Sequence, residues 1–139
     1  MPLVRIDLNQ STSASQREAI ALAVYEAMRA SIKIPEGDRF IVVNAHSEQA
    51  MFIDPHYMGM NRSERCVLIQ ILLSRGRTVE QKQALFRAIA DQLQAIGLSS
   101  DDVMTVLAEN TFSDWSFGRG IAQYVLNPPA WANASTAGD

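Results

Sequence analysis

Three places in this chain carry groups able to do acid-base or covalent chemistry together: the Met1-Pro2 start, Asp38 behind Pro35-Glu36-Gly37, and the triplet Arg75-Gly76-Arg77. Methionine ahead of a small residue such as proline is normally trimmed during synthesis, which would leave Pro2 as a free secondary amine. Such an amine can take or give a proton, or condense with a carbonyl to form an iminium. A carboxylate beside it would orient it, and paired guanidinium forks suit a substrate carboxylate. Each piece also has a plainer reading. Met-Pro is a tolerated start, Asp38 a turn residue after a helix-breaking Pro-x-Gly, and Arg75 and Arg77 solvated loop charges. The functional reading therefore depends on whether the fold gathers them.

The elements that would do so are legible in the hydrophobic pattern. Leu3 to Leu8 alternates as a strand, with Val4, Ile6 and Leu8 on one face. From about Ala14 to Ile32, the residues Ile20, Ala23, Val24, Ala27 and Met28 recur at helical spacing, and Ser13 with Gln16 makes a capping box. Pro35 to Asp38 breaks that helix, and Phe40 to Val43 reads as a second strand. The same order returns about 65 residues later. Cys66 to Leu73 is an apolar strand, Thr78 with Gln81 repeats the cap, and Leu85, Ala88, Ile89 and Leu93 match the first helix's buried face. Ser99 to Asp102 then stands where Pro35 to Asp38 stood, and Met104 to Leu107 where Phe40 to Val43 stood.

Two strand-helix-strand units predict an α/β (α+β) fold, in which a duplicated β-α-β unit forms one four-stranded mixed sheet with two helices on one face. One domain is expected over residues 2–126, with repeat units at about 2–46 and 66–109. The tail, 127–139, is expected to be extended or disordered. If a two-fold axis sets the first strands side by side and antiparallel, the start of the first strand meets Arg75 to Arg77 at the end of the third. Asp38, leading into a strand parallel to the first, then approaches the same edge. The amine, the carboxylate and the guanidiniums converge. The opposite sheet face has no helix to cover it, yet Cys66 to Leu73 is apolar on both sides. An oligomer in which sheets pack together is expected.

Composition removes several function classes. A net charge of -3 on 139 residues, 19% of them charged, gives no electrostatic case for nucleic acid or an anionic membrane. Cys66, the only cysteine, cannot form an internal disulfide and reads as a core residue. There is no leader-like start and no apolar run near 18 residues, so the cytoplasm is the expected compartment. His46, Glu48, Asp54 and His56 match no ligand spacing, and no metal or other cofactor is expected. Between the repeats, Met51, Phe52, Tyr57, Met58 and Met60 give a loop or hairpin with enough apolar side chains to pack.

Pro2, the duplicated unit, Pro35-Glu36-Gly37-Asp38-Arg39, Ser74-Arg75-Gly76-Arg77, and Glu109-Asn110 leading to Asp114-Trp115-Ser116-Phe117-Gly118-Arg119-Gly120 together resemble the tautomerase superfamily, and within it the malonate semialdehyde decarboxylase branch. The resemblance runs from Pro2 to about Tyr124. It implies a homotrimer, Pro2 as the central catalytic group with Asp38 as its carboxylate partner, and Arg75 and Arg77 binding a small substrate's carboxylate. Trp115 and Phe117 would form an apolar wall, with Tyr124 at a wall position where the branch carries Phe. Gly76 departs from an Arg-Pro-Arg pattern, so the arginines would be less rigidly held. Three functions follow: a cofactor-free decarboxylase of malonate semialdehyde or a similar 3-oxo acid, a tautomerase or hydratase of small 2-oxo acids, or, with Met1 retained, a non-catalytic trimeric binding protein.

Overall fold

Four strands and two long helices carry the computed structural model, which describes residues 1–134. Strand β1 (Pro2–Asn9) leads to helix α1 (Ala14–Ile32) and strand β2 (Ile41–His46); β3 (Val67–Ser74), α2 (Val79–Ala95) and β4 (Val103–Asn110) repeat the order. Both helices open on a full capping box. Ser13 Oγ accepts from the Gln16 amide while the Gln16 side chain accepts from Ser13 N, and Thr78 and Gln81 do the same for α2. The sheet runs β2-β1-β3-β4. β1 pairs with β2 and β3 with β4 in parallel, and β1 with β3 antiparallel, Pro2 standing opposite Leu73. The two-fold arrangement expected from the repeat is the one observed.

The core lies between the sheet and the helices. Val4, Ile6 and Leu8 of β1 and Val67, Ile69, Ile71 and Leu73 of β3 meet Ile20, Val24 and Met28 of α1 and Leu85, Ile89 and Leu93 of α2, all buried. That burial fixes register, since a slip by one residue would turn each strand's apolar row to solvent. The other face carries Leu3, Arg5 and Asp7 of β1 and Leu68, Gln70 and Leu72 of β3, flanked by half-exposed Val42, Met104 and Val106. Among the described residues no element covers it.

Some expectations need correction. β2 starts at Ile41 rather than Phe40 and continues to His46, because ladder pairing with β1 extends to Asn9. β4 likewise spans Val103–Asn110, paired along all of β3. The 47–65 connection forms two 3-10 turns, Glu48–Ala50 and Tyr57–Gly59; Met51 is half-buried, but Phe52, Tyr57 and Met58 are left largely exposed rather than packed. The segment after β4 is ordered further than expected. A one-turn helix α3 (Gln123–Leu126) and a 3-10 segment, Ala130–Ala134, follow. Trp131 anchors the latter edge-on against Phe112 at 5.4 Å. The rest of the expected tail, 135–139, lies outside the described residues. Among the described residues, no helix is long and apolar enough to cross a membrane.

Candidate active site

Each group in the site is delivered by an element end. The Pro35–Asp38 turn closes with Asp38 N donating to Pro35 O at 3.2 Å. Gly37 takes a φ of 84°, open to glycine, and its amide donates to Tyr25 Oη of α1 at 3.1 Å. The chain then enters β2 beside β1, where Val4 N donates to Phe40 O at 2.9 Å. Asp38 is thereby set against the start of β1. In the structure Met1 is in place, so the Pro2 nitrogen is an amide and the free amine at this end is that of Met1. It lies 3.5 Å from Asp38 Oδ2, with both side chains under 10% exposed. Asp38 Oδ1 is buried and, among the described residues, has no hydrogen-bond partner.

At the adjacent end of β3, Arg75 N donates to Asn110 O at 2.8 Å, continuing the ladder toward Gly76. Arg77 follows as the residue before the α2 cap, and its Nη1 donates to Ser74 O at 2.7 Å. A cavity of about 760 Å³ opens here, lined among others by Met1, Asp38, Arg77, Gln81, Tyr124 and Trp131. The Met1 side chain occupies part of this region, so loss of Met1 would both free the Pro2 nitrogen and enlarge the cavity.

Burial holds the ionisable groups of this pocket away from their ordinary values, and their neighbours' charges mostly pull them back. Burial lowers the Met1 amine; the Asp38 carboxylate opposes that fall and the Arg77 charge adds to it. Burial raises Asp38, against the pull of the amine and Arg77. Arg77 is lowered by burial, and the Tyr124 hydroxyl is raised by burial and by the Asp38 charge. A partly desolvated amine and carboxylate side by side exchange a proton more readily than either would in water, which is the condition acid-base catalysis needs.

The expected residues divide accordingly. The start of β1, Asp38, Arg77 and Tyr124 are brought together on one cavity. Arg75 is exposed and outside the cavity lining; its charge is felt instead by Asp114, whose carboxyl it helps to hold low behind the hydrogen bonds from Thr111. Trp115 is buried, donating from Nε1 to Asn110 Oδ1 at 2.6 Å, and stacks on Phe117 at 5.8 Å. Phe117 meets Tyr124 edge-on at 4.8 Å, so these two rings back the cavity through Tyr124 rather than lining it. Trp131 is the lining residue that the sequence reading missed. Its ring lies over the Arg77 guanidinium, 4.8 Å from Cζ to the ring centre. Its signal was Pro128-Pro129, whose fixed φ stiffens the return path and sets an aromatic two residues on.

Of the residues weighed for metal binding, His46 and Asp54 have other side-chain partners. His46 Nε2 bonds Asp7 Oδ1 at 2.6 Å, and Asp54 accepts from the amides of His56 and Tyr57. Among the described residues no group of three or more His, Cys, Asp or Glu side chains is gathered as a metal would require. Cys66 is buried in the strand region, and burial raises its thiol, which keeps it protonated and unreactive.

Comparison with known proteins places this geometry. Two family models described as tautomerase enzymes match residues 38–118 and 2–61. Two Bacillus subtilis (strain 168) proteins, the probable tautomerases YusQ and YrdN, are 35% and 32% identical over 90% of this chain and 99% and 97% of their own lengths. Among solved structures, FG41 malonate semialdehyde decarboxylase inhibited by 3-bromopropiolate is 41% identical, with a TM-score of 0.87, covering 92% of this chain and 98% of its own. A second malonate semialdehyde decarboxylase is 32% identical at a TM-score of 0.84, covering 89% and 96%. A fused 4-OT, 22% identical at 0.74 over 90% of this chain and 98% of its own, shares the fold.

Proposed function

The chain belongs to the tautomerase family, and from that footing we propose that it is a cofactor-free decarboxylase of malonate semialdehyde or a similarly small 3-oxo acid, working through the Pro2 amine once Met1 is removed. The observation that carries this reading is the convergence of the β1 start, Asp38, Arg77 and Tyr124 on one cavity, in a chain 41% identical to a malonate semialdehyde decarboxylase.

Breaking the bond between the carboxylate and the α-carbon of a 3-oxo acid releases carbon dioxide and sends the electron pair into the carbonyl, giving an enolate. The enolate needs a positive or hydrogen-bonding partner at its oxygen. Protonated Pro2 can donate that hydrogen bond, or neutral Pro2 can form an iminium that takes the electron pair as an enamine. Arg77 holds the carboxylate, with Arg75 assigned a supporting charge at the rim. Asp38 orients the amine and keeps a proton close to it, and the Tyr124, Phe117 and Trp115 rings exclude water behind the reacting carbons. Protonation at the α-carbon yields the aldehyde directly from the enolate; from the enamine it yields an iminium, whose hydrolysis by water releases the aldehyde and restores the Pro2 amine.

The assembly proposed with this chemistry is a homotrimer that buries the open sheet face, as a fused 4-OT forms a symmetric trimer. A second reading, a tautomerase or hydratase of small 2-oxo acids using the same residues, is favoured by the two relatives described as probable tautomerases. One panel separates the readings. Protein shown by mass spectrometry to start at Pro2 is assayed for carbon dioxide release from malonate semialdehyde and for ketonisation and hydration of 2-oxo acids. Carbon dioxide release is the expected result. Its absence alongside ketonisation would move the assignment to the second reading, and protein from its native host that still carries Met1 would move it to a binding role.

A further inference from the structure

Arg77 is held by a residue outside the duplicated unit. Gly76, immediately before it, has a φ of 123°, so this loop takes a conformation that only glycine adopts without strain, and glycine adds no side chain to brace it. Among the described residues Arg77 makes no salt bridge. Its constraints are the hydrogen bond to Ser74 O at 2.7 Å and the Trp131 ring over the guanidinium at 4.8 Å. Trp131 is in turn fixed edge-on to Phe112 at 5.4 Å and 64°, and Phe112 edge-on to Tyr124 at 5.4 Å and 75°. Arg77, Tyr124 and Trp131 all line the same cavity.

We propose that Trp131 is a positioning and specificity-determining residue, its ring over the Arg77 guanidinium holding that group so that its N–H edge meets an anion in the cavity from one direction. A guanidinium's N–H donors all lie in its plane, so an arginine that nothing holds offers that plane to anions in many orientations. One held against an indole presents its fork in a fixed plane, matched by a planar carboxylate and poorly matched by a tetrahedral group. The covering ring also removes water from that face, which strengthens both the stacking and the charge-assisted hydrogen bonds at the edge. The specificity half of this inference rests on Arg77 being the carboxylate anchor; the positioning half does not.

The test uses nitrogen-labelled full-length protein with a verified Pro2 start. The Arg77 Nε–H resonance, assigned by its loss in Arg77→Lys, is expected upfield of the other arginines through the indole ring current, and is expected to return toward them in Trp131→Ala. Titration with 3-hydroxypropionate, which cannot decarboxylate, should show a Kd roughly three- to tenfold weaker in Trp131→Ala, as loss of a cation-π contact implies. Trp131→Phe, which keeps a ring, should recover most of the loss. Isethionate, the sulfonate counterpart, should gain on 3-hydroxypropionate in Trp131→Ala. An unshifted Arg77 resonance, or an unchanged Kd in Trp131→Ala, would overturn the proposal. A shifted resonance with no binding of 3-hydroxypropionate by the unsubstituted protein would instead sink the carboxylate reading of Arg77, and the specificity role with it.

Discussion

Asp38 shows what the site costs and what it does. Its carboxyl is raised by burial despite the amine 3.5 Å away, so at neutral pH the charged form is carried at a loss of stability. The sign is fixed by the direction of the shift. The native state binds the Asp38 proton more tightly than the unfolded state, so stability is fully present below the unfolded value of 3.8 and is lost as pH rises through the folded value. Asp38→Asn should therefore melt a few degrees higher than the unsubstituted protein at pH 8, with the gain disappearing toward pH 3. The same substitution removes the attraction that opposes the fall of the Met1 amine, and a free Pro2 amine at the same end of β1 is expected to lose the corresponding attraction. If the protonated amine serves the enolate, the basic limb of the pH-rate profile should move to lower pH and kcat should drop about a hundredfold, within the range for acid-base groups. The two arginines should part company. Arg77→Ala loses charge-assisted hydrogen bonds in a partly buried site, and kcat/KM should fall on the order of a hundredfold, whereas exposed Arg75→Ala should stay within about threefold.

At the scale of elements, the two capping boxes are equivalent locally and unequal functionally. Ser13 and Thr78 each accept from the amide three residues on, at 3.2 Å, and replacing either by alanine should cost about 1 kcal/mol of unfolding free energy. Thr78, however, adjoins Arg77, while Ser13 adjoins no residue of the cavity. Denaturant melts should thus report similar losses for Ser13→Ala and Thr78→Ala, while KM rises in Thr78→Ala alone. These boxes also explain why so much of the fold was legible. Ser13 with Gln16 and Thr78 with Gln81 mark the same point in two copies of one unit, and a repeated unit determines strand directions that a single copy leaves open. From those directions alone, the start of β1, Asp38 and Arg77 could be placed together. Side-chain direction within a loop has no such periodicity, so Arg75 and Arg77 were read as equal. Trp131 was missed because it belongs to neither copy, and its contacts with Phe112 and Arg77 are tertiary. Trp115 and Phe117 came from resemblance, which gives a wall but not which rings reach the cavity.

Among the described residues one face of the sheet stays open, and its apolar part can be located. The helices cover one face of the sheet, while the rows on the other run Leu3, Leu72 and Ala108 beside Phe40 at the entry to β2, then Val42, Arg5, Gln70 and Val106, then Asn44, Asp7, Leu68 and Met104 across the four strands. Apolar residues dominate the outer strands, where Phe40, Val42, Met104 and Val106 are each about half exposed. Polar ones sit toward the middle, so the face is neither a solvated surface nor a complete core. An apolar surface of this kind is stable in water only when another surface covers it. In a closed trimer the same patch is used in every protomer, so one substitution acts three times. Val106→Lys places a charge in the row between Met104 and Ala108 without touching the helix-facing core, and the lysine can be solvated only if the face stays open. The expected outcome is monomeric protein by sedimentation velocity, with secondary structure retained by circular dichroism and a Tm that no longer rises with protein concentration. A trimer that survived Val106→Lys with an unchanged sedimentation coefficient would move the interface elsewhere, with the exposed Phe52, Tyr57 and Met58 loop as the next surface to substitute.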